Sequence, residues 1–88
     1  MILRPKKRSL TLRGHRTSVS IEDRFWLAFC SIAHDRDMAI NELAALIDEK
    51  RDIETEGLAS AVRDYVLRHY MERAADQSRG ENRSNPGM

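Results

Sequence analysis

A chain of 88 residues, 33% charged and 41% hydrophobic with a net charge of only +1, has the makeup of one small domain that buries a modest core by itself. It holds no apolar run long enough to cross a bilayer, and its basic start lacks the apolar stretch of a secretion signal, so export is not expected. The lone cysteine, Cys30, excludes an internal disulfide and fits a reducing compartment such as the cytoplasm; its setting, FWLAFCSIA, reads as core packing rather than as an activated thiol.

The small net charge hides a polarity. Residues 1–20 carry six basic side chains (Arg4, Lys6, Lys7, Arg8, Arg13 and Arg16) and no acid. Residues 21–57 carry ten acids against four bases, and residues 58–88 are close to neutral. A basic segment ahead of an acidic body suits a polyanion at one end and repels it at the other.

In chain order, residues 1–8 show no period and are expected to form a flexible basic arm. Leu10 and Leu12 then alternate with Ser9, Thr11 and Arg13, and after Gly14-His15 the alternation resumes as Thr17, Val19 and Ile21 against Arg16, Ser18 and Ser20. Period two predicts strands, and the change of parity calls for a turn. A turn centred on Gly14-His15 sets Leu12 opposite Thr17 and Leu10 opposite Val19 on one face. It sets Arg13 opposite Arg16, Thr11 opposite Ser18 and Ser9 opposite Ser20 on the other. The like-charged Arg13/Arg16 pair is unfavourable unless an anion relieves it. A second reading takes Ser20 and Asp23 as a capping box, which draws Ser20 out of the strand.

A helix is predicted from Glu22, with Phe25, Phe29, Ile32 and Ala33 as its buried stripe. HDRDM (34–38) breaks it. A second helix starts near Ala39 with Ile40, Leu43, Ala44 and Ile47 inward, and residues 51–57 form a connection. A third helix carries Leu58, Ala61, Val62, Tyr65, Val66 and His69, the last read as a packing histidine. From about residue 75 the composition predicts a disordered tail, which leaves a domain over residues 9–74.

Catalysis finds no support. His15, His34 and His69 fall in three different elements, and no metal-ligand spacing or cysteine pair is present. No enzyme activity, cofactor or metal is therefore expected. The informative feature is a strand whose alternate residues are Arg16, Ser18 and Ser20. A strand needs partners along its edges, and pairing with a second copy of the chain supplies them. The resulting ribbon is narrow enough for the DNA major groove, where Arg bridges guanine O6 and N7 and Ser bonds several base edges.

The order β-α-α, the run RTSVSIEDRFWLAFCSIAHDRDMAINELAALIDE and the preceding KRSLTLRGH resemble the ribbon-helix-helix (Arc/MetJ-like) superfamily. With the later LASAVRDYVLRHY, the sequence is similar to a bacterial subgroup of short ribbon-helix-helix domain proteins over about residues 7–70. The resemblance implies a mostly α homodimer with a short β-ribbon, here with an additional C-terminal helix, that regulates transcription by binding double-stranded DNA. It implies base contacts from Arg16, Ser18 and Ser20, and a phosphate anchor on the amides opening the second helix, at Ala39, Ile40 and Asn41. The basic residues Lys6, Lys7, Arg8 and Arg13 are expected to add phosphate contacts. Two positions depart from the pattern: Asp37 stands where glycine is common, and Ala39 where a hydroxyl cap is common. The alternative function is an antitoxin-like module whose third helix engages a partner protein.

Overall fold

A computed structural model describes residues 4–54 and 56–83. Two strands, β1 (Lys6–Leu12) and β2 (His15–Ile21), form an antiparallel hairpin. Three helices follow: α1 (Asp23–Asp35), α2 (Ile40–Lys50) and α3 (Leu58–Arg83). The fold is thus mostly α with a short β-ribbon and a helix beyond the β-α-α unit.

The hairpin turns at Arg13-Gly14, not at Gly14-His15. Both turn residues have positive φ, 53° and 83°, as in the two-residue type I′ turn that matches the twist of paired strands. The register therefore pairs Leu12 with His15, Leu10 with Thr17, Arg8 with Val19 and Lys6 with Ile21. Relative to the expected register this is a slip of two residues. Because side chains alternate with period two, an even slip leaves every residue on its expected face. The Arg13/Arg16 opposition disappears: Arg13 leaves the ladder and pairs with Glu49 of α2 at 2.7 Å.

One side of the hairpin packs on the helices. Leu10, Val19 and Ile21 join Phe29, Ile32 and Ala33 of α1, Leu43, Ala44 and Ile47 of α2, and Ala61, Val62 and Val66 of α3 in one buried cluster. Thr17 has the inward parity but is exposed, although Leu10 opposite it is buried.

Several boundaries differ from the sequence reading. Lys6, Lys7 and Arg8 are strand residues, so no flexible arm reaches residue 8; residues 1–3 lie outside the described residues. The helix that was expected to yield to a disordered tail near residue 75 continues to Arg83, and the remainder of the expected tail lies outside the described residues. Ser20 stays in β2, and Glu22 precedes α1 without a side-chain cap, so the capping-box reading does not hold.

The α1–α2 corner explains the turn at Asp37. The Met38 N–H bonds the Ala33 carbonyl at 2.9 Å and the Asp37 N–H bonds that of His34 at 3.0 Å, the paired bonds of a Schellman motif. This motif demands a left-handed residue, and Asp37 supplies it at φ 57°.

Candidate nucleic-acid interface

The outward side of the hairpin is built by alternation alone. Lys7, Ser9 and Thr11 of β1 stand opposite Ser20, Ser18 and Arg16 of β2, and all six are exposed. The face holds two cations, four hydroxyls and no carboxylate. Neither Lys7 nor Arg16 has an ion-pair partner among the described residues, whereas Lys6, Arg8, Arg13, Arg51, Arg63, Arg68 and Arg73 all do. The positive charge of this face is therefore uncompensated.

The expected base contacts, Arg16, Ser18 and Ser20, fall together on that face. The expected phosphate contacts separate. Lys7 joins the face, but Lys6 and Arg8 point to the helix side by the same alternation. Lys6 meets Asp23 of α1 at 3.1 Å. Arg8 bonds the same carboxylate and lies over the Trp26 ring, 5.3 Å from its centroid. With only 22% of its side chain exposed, Arg8 is a fastener between β1 and α1, not a free cation. The sequence reading missed this because Asp23 lies fifteen positions from Arg8.

At the start of α2, the Ala39 N–H is taken by the Glu42 carboxylate at 2.9 Å. Alanine offers no side-chain acceptor in return, so only one half of a capping box forms. A phosphate approaching Ala39, Ile40 and Asn41 thus meets a resident carboxylate. Asn41 has a second role that the sequence did not suggest: its Oδ1 accepts the Thr11 N–H at 3.1 Å and ties α2 to the outer edge of β1.

Each outer edge of the ribbon carries one tie to a helix, and the Asn41 bond to the Thr11 N–H on β1 has its counterpart on β2. Arg63 of α3 donates to the Ser20 carbonyl at 3.2 Å and to Glu22 at 2.8 Å. Backbone groups of an antiparallel strand alternate between its two sides. Since the Ser20 carbonyl faces away from β1, the N–H and C=O groups of Arg16 and Ser18 do so as well. They present an open strand edge.

Two carboxyls that anchor the hairpin are held below their ordinary range. Glu22 is lowered first by its hydrogen bond from Arg63, and Asp23 first by that from Lys6 and then by Arg8. The Cys30 thiol is pushed up by burial, the reverse of nucleophile activation. Among the described residues no cluster of three or more histidine, cysteine or acidic side chains is placed to hold a metal ion, and no helix is long and apolar enough to cross a membrane.

A narrow antiparallel ribbon seated on helices, with a polar and cationic outer face, is the architecture of the β-ribbon readers of nucleic acid. The family model for the ribbon-helix-helix domain matches residues 5–70, most of the chain, and the protein belongs to that family. Domains of this family are typically non-enzymatic DNA-binding modules, acting as transcription regulators or antitoxins and generally binding DNA as dimers. Comparison with curated proteins and with solved structures gave no match.

Proposed function

We propose that this protein is a homodimeric, sequence-specific DNA-binding regulator of transcription that works in the cytoplasm and reads the major groove with β2. The observation that carries the reading is the exposed, acid-free face on which Arg16 and Lys7 stand unpaired beside four hydroxyls. In the dimer, the open edge of β2 pairs with the same edge of a second copy, which places two sets of Arg16, Ser18 and Ser20 at the centre of one surface. Arg16 supplies a planar fork for guanine, and the serines donate or accept at neighbouring base edges. Lys7 is kept as a phosphate contact. Lys6 and Arg8 are not, because Asp23 holds them on the opposite face. Arg13, paired with Glu49 at the turn, reaches a phosphate only by exchanging that partner. Only the Ile40 and Asn41 amides are offered for a phosphate at the α2 start, since Glu42 occupies that of Ala39.

Selection of bound duplexes from a random pool tests the reading. A defined motif is expected from the intact protein. Enrichment of no sequence, together with no retardation of any duplex at low salt, would overturn it.

A second reading has its own observation. Leu67, Tyr70 and Met71 of α3 are exposed, at 56%, 39% and 62%, on a helix that continues past the family domain. A helix displaying such a strip suits a protein partner, as an antitoxin requires. Co-purification of a defined partner that is lost with Leu67→Glu/Met71→Glu distinguishes it.

A further inference from the structure

We infer that β1 is a second DNA-contacting strand, with Ser9, Thr11 and Lys7 seated on the phosphates that wall the groove while β2 reads bases inside it. The inference rests on the DNA-binding dimer proposed above and assigns a role to hydroxyls that the sequence reading left without one.

Width decides which strands enter the groove. Joining two copies through β2 orders the strands β1-β2-β2-β1. Strands lie about 4.8 Å apart, so the outer strand axes of this sheet stand about 14 Å apart, against a major groove about 12 Å wide. A two-stranded ribbon enters such a groove and a four-stranded sheet does not. The β2 pair descends between the walls, and each β1 lies over one wall. The side chains that β1 turns toward the DNA are then Lys7, Ser9 and Thr11, one ammonium and two hydroxyls. Hydroxyls and lysines are the groups proteins commonly set against phosphate oxygens.

The strand is also held rigidly where this role needs it. On its inner face Lys6 and Arg8 are fastened to Asp23. On its outer edge the Thr11 N–H is held by Asn41. Among the described residues the hydroxyls of Ser9 and Thr11 make no hydrogen bond and Lys7 makes no ion pair, so the outer row of a pinned strand is free for a ligand. The Asn41 bond places the start of α2 beside the same edge.

The test uses the full chain, a duplex carrying the selected motif and a random duplex of equal length. Binding is measured across a salt series for Ser9→Ala/Thr11→Ala and for Lys7→Ala, with melting curves confirming that both variants fold. The double variant is expected to lose affinity several-fold and equally on both duplexes, with no change in the selected motif. Lys7→Ala is expected to lower the salt slope by about one for each contact removed. Unchanged affinity and salt slope in both variants would overturn the inference. So would a changed sequence preference in the double variant, which would show that the hairpin of a single chain enters the groove and β1 reads bases. Failure of the unaltered protein to bind either duplex would overturn the DNA-binding reading itself, a result separable from the others.

Discussion

Arg16 is the side chain on which sequence choice is expected to turn. It is exposed, unpaired and opposite Thr11, so nothing in the fold competes for its guanidinium. Arg16→Ala is expected to cost roughly 1–3 kcal/mol per half-site on the selected sequence and less on random DNA. Arg16→Lys is expected to recover only part of this, because an ammonium lacks the planar fork. Competition binding against both duplexes checks the difference, and an equal loss on the two would make Arg16 a phosphate contact. Asp37 gives a prediction about stability. It occupies a left-handed position at φ 57° that glycine fills without a clash between Cβ and backbone. Asp37→Gly is expected to stabilise the fold by on the order of 1 kcal/mol, read as a higher denaturation midpoint with an unchanged slope.

Among the elements, both strands are tied to helices by ion pairs. β1 is fastened to α1 through Asp23, and β2 to α3 through Arg63 and Glu22. Both carboxyls titrate below their ordinary values of 3.8 for aspartate and 4.5 for glutamate. A depressed carboxyl stabilises the fold above its unfolded pKa, and that contribution is lost as pH falls through the folded value. Stability is therefore expected to fall below about pH 4.5, the unfolded value for Glu22. Asp23→Asn is expected to lower neutral-pH stability and to flatten the acid limb, measured by denaturation at stepped pH. The same fastenings show which parts of the fold were legible in the sequence. Period-two alternation gave the faces of both strands, and helical spacing gave the core stripes of α1 and α2. The register was not legible, because choosing between Arg13-Gly14 and Gly14-His15 needs the left-handed φ of Arg13, which an arginine does not advertise. Nor were the fates of Lys6 and Arg8, because a charge run looks the same whether it faces DNA or a carboxylate fifteen positions away. The reach of α3 to Arg83 was hidden by a polar composition that serves a solvated helix as readily as a tail.

At the scale of the whole molecule, the surface points to a second copy. The outer edge of β2 leaves the backbone groups of Arg16 and Ser18 open, a template for pairing with another strand. Beside that strand, Thr17 and His15 line a cavity with Leu12, Ala45 and Leu58, between the turn end of the sheet and α2 and α3. Leu27 and Leu46 are also exposed, at 67% and 36%. Pairing through β2 closes the strand edge. The protein is therefore expected to sediment at twice the chain mass at micromolar concentration, with a melting temperature that rises with concentration. Ser18→Pro isolates the cause. Ser18 stands opposite Ser9 with its N–H directed away from β1, so proline removes an outer-edge donor and leaves the intrachain ladder its bonds. This variant is expected to be folded and monomeric, with loss of specific DNA binding and retention of weak, salt-sensitive association through Lys7. A Ser18→Pro protein that still sediments as a dimer would place the interface elsewhere, on the outer edge of β1 or the exposed strip of α3.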